Sequence, residues 1–259
     1  MDESEVLSRV KNGGVFDLPP RAFDDRRMTI AEAEAIFTAF NSFWQYKGNP
    51  IAEKPHALLK SGKHSNGFIA CKDFLKYPQI CLLFANEIVK RIRGEVILSK
   101  ISKLEIDAVV SSAYSAINLG WEVARLLSEH NEKIEYIPVE KDEKGNPTII
   151  RGGIDPGKKV LVINELMTTG SGSTWETKEA VLKCNGDKPA PKVIEPALVL
   201  VHRSKEMVLA DGSPVQPVFH FDIGDSDVPK GESCPYCDAG SEAIKPKLGN
   251  NWQRLHGLA

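Results

Sequence analysis

One segment, residues 159–174 (KVLVINELMTTGSGST), constrains the fold of this chain more than any other. Residues 160–163 are a short β-branched and aliphatic run, of the kind that forms a strand buried on both faces of a parallel sheet. The polar pair Asn164-Glu165 follows, at the point where a buried strand would reach the surface. The segment therefore predicts a strand with a polar tip, then a loop and a helix, within an α/β sheet.

The loop of this segment has the composition of a phosphate-binding site. Directly before a helical pattern at residues 175–184 it contains Thr168, Thr169, Gly170, Ser171 and Ser173. Backbone N–H groups and the positive end of a helix dipole bind anions, and glycine lets the backbone approach them closely. The polar tip adds acceptors for sugar hydroxyls, so the pattern favours a phosphorylated ribose. An ordinary polar turn would explain the glycines, but not the acidic tip and the hydroxyls together.

The same segment resembles the motif with which type I phosphoribosyltransferases bind 5-phosphoribosyl diphosphate (PRPP). In that motif a hydrophobic strand precedes two acidic residues, two variable residues and Thr-(Thr/Ala/Ser)-Gly-(Ser/Thr). This chain departs from it at Asn164, which keeps a carbonyl acceptor but lacks a negative charge. The resemblance implies that Asn164 and Glu165 bind the ribose hydroxyls. It also implies that the 5-phosphate is held by Thr168, Thr169, Gly170, Ser171 and Ser173.

Strand and helix patterns alternate around this segment. Strands are predicted at residues 106–111, 134–139, 160–163 and 193–201, and helices at residues 30–43, 78–93, 115–128 and 175–184. Such alternation predicts a parallel, twisted sheet flanked by helices, with ligands beyond the carboxyl ends of its strands. We therefore predict an α/β type I phosphoribosyltransferase fold. It would comprise an N-terminal, hood-like helical extension (1–55), a phosphoribosyltransferase domain (56–210) and an irregular C-terminal extension packed on that domain (211–259).

Composition and charge exclude several classes of function. At 259 residues the chain can bury a full core, and its formal net charge of -2 argues against broad neutralisation of nucleic-acid phosphates. No apolar run approaches the ~20 residues that span a membrane, and the acidic N-terminus does not predict a secretory signal. The five cysteines are scattered and odd in number, unlike a disulfide framework. We expect a cytoplasmic protein that binds neither nucleic acid nor membranes.

Residues 56–69 (HALLKSGKHSNGFI) point to one branch of the family. They are similar to the N-terminal signature of orotate phosphoribosyltransferases, Phe-x-Leu-(Lys/Thr/Ser)-Ser-Gly-x-x-Ser followed by an aromatic residue. The resemblance implies that Lys60 contacts PRPP or orotate and that Phe68 supplies a ring near the base. On spacing alone, the segment is equally a basic, solvated hairpin with a core phenylalanine.

Two further segments are similar to the same branch. Residues 107–120 (DAVVSSAYSAINLG) resemble its pyrophosphate loop, with serine where the family has lysine after the tyrosine. This match implies that the diphosphate is lined by Ser112, Tyr114 and Ser115. Residues 200–203 (LVHR) match a family Leu-(Leu/Val)-Asp-Arg, in which the arginine reaches the orotate carboxylate. A planar guanidinium suits such a bidentate contact, so Arg203 is assigned to the base.

The mobile catalytic loop of the orotate enzymes, Arg-Lys-Glu-x-Lys-x-His-Gly, is the part that this chain matches least. Aligned through Glu140 and Gly145, the chain reads PVEKDEKG, so the positive charge can come only from Lys141 or Lys144. Preorganised cations stabilise the charge that builds on the leaving diphosphate, and losing one such contact typically costs ~3 kcal/mol. Three alternatives stay open: an orotate enzyme, a transferase for another base, and an impaired regulator that binds PRPP or a nucleotide.

The family resemblance implies the remaining participants of the reaction. A base nitrogen would attack C1 of the PRPP ribose and release diphosphate, in a homodimer. Mg²⁺ would bridge the diphosphate and the ribose hydroxyls, largely through substrate and water. The residues assigned to catalysis are Lys60, Lys141, Lys144 and Glu165.

A Cys-x-x-Cys pair, Cys234 and Cys237, lies near the end of the chain and resembles a zinc knuckle. A structural zinc site needs four ligands, and the sequence has one such pair. The other ligands would come from the pair of a second subunit or from His220, Cys184, His202 or Asp222. Alternatively, both cysteines are reduced and pack on the sheet without a metal.

Overall fold

Helices and strands alternate in this computed structural model, which describes residues 1–98, 105–129, 133–149, 153–221, 223, 228–229 and 231–258. Its helices are α1 Glu3–Lys11, α2 Ile30–Ala39, α3 Lys72–Leu75, α4 Pro78–Leu98, α5 Ile117–Ser128, α6 Ser173–Lys183, α7 Pro235–Asp238 and α8 Asn251–Leu255. Its strands are β1 Phe43–Gln45, β2 His56–Leu58, β3 His64–Ser65, β4 Gly67–Ile69, β5 Ala108–Ser111, β6 Glu135–Pro138, β7 Glu140–Lys141, β8 Pro147–Thr148, β9 Lys159–Met167, β10 Lys192–His202, β11 Val215–His220 and β12 Ala243–Ile244.

The centre of the fold is a sheet of five parallel strands in the order β11-β10-β9-β5-β6. Alternate residues of β9 face opposite sides of this sheet. Val160 and Val162 pack with Val181 of α6, whereas Leu161 and Ile163 pack in the cluster that contains α4 and α5. Because helices cover both faces, the whole run is apolar. The α/β fold class and the parallel sheet predicted from the sequence are confirmed.

The N-terminal helices share the core of the sheet. The ring of Phe37 in α2 lies 4.5 Å from that of Phe74 and 5.5 Å from that of Phe84, measured between ring centroids. Residues 1–55, predicted as an extension, therefore pack into the same apolar cluster as α3 and α4. Within the described parts of the chain, no helix has the length and apolar character needed to cross a membrane.

The helix predicted at residues 30–43 is shorter in the structure. It begins at a capping box, in which the Thr29 hydroxyl accepts from the Glu32 N–H and the Glu32 carboxylate accepts from the Thr29 N–H. It ends at Ala39, and Asn41 then adopts a left-handed conformation with a φ of 49°. The residues that follow form β1, which pairs antiparallel with β4. Tertiary pairing thus converts the predicted end of the helix into a strand.

Residues beyond 210, predicted as an irregular extension, add strands to two sheets. β11 pairs in parallel with β10 at the edge of the central sheet, and β12 pairs with β2. Val215 and Phe219 of β11 are buried in the core. Pro217 interrupts the strand pattern in the sequence, and proline is tolerated here because β11 is an edge strand. The boundary predicted at residue 210 therefore lies before the last strand of the central sheet.

Candidate functional site

The carboxyl ends of β5 and β9 meet at one edge of the central sheet, because Ser111 pairs with Ile163 in the parallel register. The next residue of each strand carries a polar side chain. The Ser112 hydroxyl hydrogen-bonds to Asn164 Oδ1 and lies 3.1 Å from Glu165 Oε2. The two loops that the sequence assigns to the diphosphate and to the 5-phosphate therefore begin from a shared cluster, Ser112–Asn164–Glu165.

Asn164 is fully buried, and its amide has partners within the protein. Nδ2 donates to Ser173 Oγ and Thr174 Oγ1, both at 2.8 Å, and to the Leu166 carbonyl oxygen at 3.1 Å. These contacts tie β9 to the start of α6. The sequence predicts that Asn164 faces the ribose, whereas the structure makes it the link between the strand and the loop. An amide can donate to all three acceptors, whereas the aspartate of the family motif cannot donate to the Leu166 carbonyl oxygen.

Glu165 is the partly buried member of the polar pair, whereas Asn164 is fully buried. Burial raises the pKa of its carboxyl, while hydrogen bonds from Ser112 and Ser115 and the charge of Lys247 act in the opposite direction. Ser115 comes from the predicted diphosphate loop and Lys247 from the C-terminal segment. Three parts of the chain that are distant in sequence thus surround this carboxylate. Its hard oxygen atoms are of the type that Mg²⁺ prefers.

The predicted 5-phosphate loop, residues 168–172, leads from β9 into α6. Gly172 precedes the helix without a capping side chain, so this helix start lacks a side-chain acceptor for its N–H groups. The Gly170 N–H donates to Glu206 Oε2 at 2.6 Å, which places a carboxylate oxygen at the loop backbone. A Cβ at position 170 would lie 2.5 Å from the Val208 carbonyl oxygen, so only glycine fits. The loop therefore holds an anionic oxygen of the protein at one of its backbone amides.

The two candidate lysines of the catalytic loop lie on or beside the short hairpin of β7 and β8. Lys141 Nζ lies 5.5 Å from the ring centroid of Tyr114, whose side chain is 69% exposed in the predicted diphosphate loop. Lys144 is exposed in the turn of the hairpin. Asp142, which stands where the family has a lysine, accepts from the backbone N–H groups of Lys144 and Asn146. The hairpin turn thus uses this aspartate for its own structure.

The residues assigned to the base lie around β4. Arg203 is buried, and its guanidinium donates to the Gly67 carbonyl oxygen at 2.8 Å and to Ser65 Oγ at 2.7 Å. The sequence predicts a guanidinium that binds a substrate carboxylate, whereas in the structure it anchors the strand that carries Phe68. Lys60 is exposed near the tip of the β2–β3 hairpin, where Gly62 has a φ of 82°. The contacts of Lys60 and Arg203 with a base stay predictions.

The C-terminal segment supplies a lysine that the sequence analysis does not assign to the site. Lys247 Nζ lies 5.8 Å from the ring centroid of Phe68, and the Trp252 ring makes a T-shaped contact with the same ring at 5.6 Å between centroids. Lys247 also acts electrostatically on Glu165. The sequence contains one signal for this placement, an exposed basic Lys-Pro-Lys run beside a tryptophan that needs an apolar contact.

Cys234 and Cys237 lie beside His56 and His64, four residues whose ligand atoms all fall within 4.8 Å of one another. The sequence analysis names other residues as partners of the two cysteines. His202 and His220 instead stack on each other, with ring centroids 5.0 Å apart, on β10 and β11. Cys184 contacts Asn185 at the end of α6, and Asp222 lies outside the described residues. The structure therefore brings His56 and His64, rather than His202, His220 or Cys184, beside the two cysteines.

Comparison with known proteins gives relatives along most of the chain. It is 33% identical over 192 residues to the orotate phosphoribosyltransferase of Pelotomaculum thermopropionicum, covering 74% of this chain and 87% of that protein. It is 30% identical over 211 residues to the orotate phosphoribosyltransferase of Nitratiruptor sp., covering 80% and 97%. The solved orotate phosphoribosyltransferase of Aeropyrum pernix is 20% identical with a TM-score of 0.47, covering 71% of this chain and 91% of that one. No family model matches the chain.

Proposed function

The chain belongs to the orotate phosphoribosyltransferase family, and on this premise we propose that it transfers the 5-phosphoribosyl group of PRPP to orotate with release of diphosphate. It is then a glycosyltransferase of pyrimidine nucleotide biosynthesis. The observation that carries this assignment is the Ser112–Asn164–Glu165 cluster, because it joins the two loops predicted to bind anions at one partly buried carboxylate. A phosphorylated ribose bearing a diphosphate has two anionic ends and hydroxyls between them, which matches this arrangement.

The proposal assigns the 5-phosphate to the loop before α6. Its residues are Thr168, Thr169, Gly170, Ser171 and Ser173. The start of α6 supports this assignment, because Gly172 provides no capping side chain for the first N–H groups of the helix. Glu165 then takes the ribose hydroxyls. Asn164 acts through its contacts with Ser173 and Thr174, by holding the loop in register with the strand.

On the other side of the ribose, Tyr114 and Ser115 face the diphosphate, with Ser112 behind them. Lys141 is the loop cation that the structure brings to this side, through its contact with the Tyr114 ring. A cation there lowers the barrier, because negative charge grows on the diphosphate as the bond to C1 breaks. The protein otherwise acts by orienting the base nitrogen towards C1.

The base lies against Phe68 in this proposal. Lys60 approaches from the hairpin tip and Lys247 from the C-terminal segment, which together give a positive surrounding for the orotate carboxylate. Arg203 positions the Phe68 strand through Gly67 and Ser65, and its base contact is part of the same proposal.

Mg²⁺ belongs to the proposal, with Glu165 as the protein ligand that fits it, because its partly buried carboxylate offers hard oxygen atoms. When bound, the ion would neutralise charge on the diphosphate. The proposal also includes a homodimer and a cytoplasmic location, both implied by the family resemblance.

The test is an assay of diphosphate release from PRPP with Mg²⁺, with and without orotate. We expect orotate-dependent release that is lost in Glu165→Gln and kept in Glu176→Gln, an exposed carboxylate on α6. If PRPP binds calorimetrically but no base supports release, the chain is a regulator. If another base replaces orotate, the chain is a transferase of different specificity. The altered catalytic loop, in which Asp142 serves the hairpin turn, is the observation that keeps both alternatives worth testing.

A further inference from the structure

A cluster of four ligand-type side chains lies outside the site described above. It comprises His56 of β2, His64 of β3, and Cys234 and Cys237 at the two ends of the first turn of α7. Two backbone pairings bring these distant parts of the chain together. The strand β2 pairs with β12, which follows α7, and His64 forms an antiparallel β-bridge with Val228, which precedes α7. The cluster is therefore held by backbone pairing on both sides of the Cys-x-x-Cys turn.

Three nitrogen–sulfur distances within the cluster are close to those of tetrahedral coordination. Zn–N bonds of about 2.05 Å and Zn–S bonds of about 2.3 Å place a nitrogen and a sulfur ~3.6 Å apart at the corners of a tetrahedron. His56 Nε2 lies 3.7 Å from Cys234 Sγ and 3.6 Å from Cys237 Sγ, and His64 Nδ1 lies 3.4 Å from Cys237 Sγ. The two ring nitrogens are 2.8 Å apart, so a bound ion would separate them by about half an ångström.

The hydrogen bonds around His56 select the tautomer that a metal needs. The Ser241 hydroxyl donates to the Lys54 carbonyl oxygen, so its oxygen is left to accept from His56 Nδ1 at 2.9 Å. The Nδ1 atom therefore carries the proton, and the lone pair of Nε2 points into the cluster. Histidine ligands of metals usually have this outer hydrogen bond, which fixes the orientation of the ring. The Tyr236 ring stacks on His56 with centroids 5.2 Å apart and further restrains it.

The charges also balance. Two thiolates and two neutral imidazoles carry a total charge of −2, which a divalent ion cancels. A neutral site suits these surroundings, where His56 and Cys234 are buried beside Trp44, Tyr46 and Ile244. Without a metal, the two thiols and the nitrogens that face them would have only weak thiol hydrogen bonds and one bond between the imidazoles.

We propose that His56, His64, Cys234 and Cys237 bind one zinc ion in a structural Cys₂His₂ site. All four coordination positions are filled by protein, which is the property of a structural rather than a catalytic zinc. Binding converts the two thiols to thiolates, and their two protons pass to solvent. The ion clamps the C-terminal segment onto the β2–β3 hairpin. It thereby fixes the position of Lys60, at the tip of that hairpin, relative to Lys247 beside Phe68.

The test measures zinc directly on the full-length protein. Elemental analysis after exchange into zinc and removal of free metal should find one zinc per chain in the wild type and in Cys184→Ser, a matched cysteine outside the cluster. Cys237→Ser and His64→Ala should each lose the ion. Cobalt substitution should give the visible absorption of tetrahedral thiolate coordination in the first two proteins only. A chelator should lower the Tm of the wild type, and added zinc should restore it.

Cys237 is exposed, so its serine variant should fold, and circular dichroism checks that it does. The proposal is overturned if the folded wild type retains no zinc. Equal retention by the wild type and both cluster variants would reveal an adventitious ion only. A mass two hydrogens lower, located to Cys234 and Cys237, would show a disulfide in place of the metal. None of these readouts depends on turnover of PRPP, so this proposal and the proposed function can fail separately.

Discussion

Replacing Asn164 by aspartate tests whether the amide at the polar tip is a structural link or a lost catalytic acid. The sequence alone suggests that Asn164→Asp restores the motif of the family. The structure predicts the opposite, because the amide donates to the Leu166 carbonyl oxygen at 3.1 Å and to the hydroxyls of Ser173 and Thr174 at 2.8 Å. The substitution should therefore destabilise the fold.

The magnitude follows from those contacts. The two hydroxyls can rotate and donate to the new carboxylate, so these hydrogen bonds survive with their direction reversed. The Leu166 carbonyl cannot, and the loss of this donor from a partly buried acceptor costs about 1–3 kcal/mol. The new charge would also be buried next to the Glu165 carboxylate, and both effects disfavour its ionised form. We expect a loss of about 3 kcal/mol at neutral pH, which for a chain of this size lowers the Tm by roughly 6–12 °C.

Thermal and urea unfolding of Asn164→Asp, compared with Asn118→Asp on the exposed side of α5, would measure this loss. The effect should depend on pH. The folded-state pKa of the new carboxyl is raised by burial, so the protonated form costs little below the unfolded pKa of about 4. The stability should then fall as the pH rises through the folded-state pKa. A loss below about 1 kcal/mol, or one that does not change with pH, would refute the role given to the Asn164 amide.

Three further predictions concern the loops and the C-terminal segment. Gly170→Ala should destabilise the protein by about 1–3 kcal/mol in urea unfolding, because its Cβ would lie 2.5 Å from a backbone carbonyl oxygen, and an unchanged midpoint would contradict this packing. Lys141→Met should lower kcat for diphosphate release by about two orders of magnitude, whereas Lys144→Met should change it little, and equal effects would contradict the placement of Lys141. Lys247→Met should raise the KM for orotate more than that for PRPP, whereas an equal rise would argue against a contact with the base.

Local patterns predicted most of the central fold. The buried run of β9, the alternation of strands with helices and the hydroxyl-rich loop before α6 are all encoded within short windows of sequence, where side-chain periodicity and glycine content act directly. The parallel order of the strands follows from the crossover rule. Two elements were hidden for physical reasons. Pro217 interrupts the sequence pattern of β11, although a proline is tolerated in a strand at the edge of a sheet. The strand β1 forms because it pairs with β4, and its own sequence pattern does not predict it.

The sequence by itself determined the α/β architecture, and it predicted the edge of the sheet at which ligands would bind and the loop before α6 that would hold a phosphate. Only the tertiary structure decided which distant residues come into contact. His56 and His64 join Cys234 and Cys237 because β2 pairs with β12. Lys247 reaches Phe68 through the same C-terminal segment. These contacts depend on strand pairing between remote parts of the chain, and no short window of sequence contains that information.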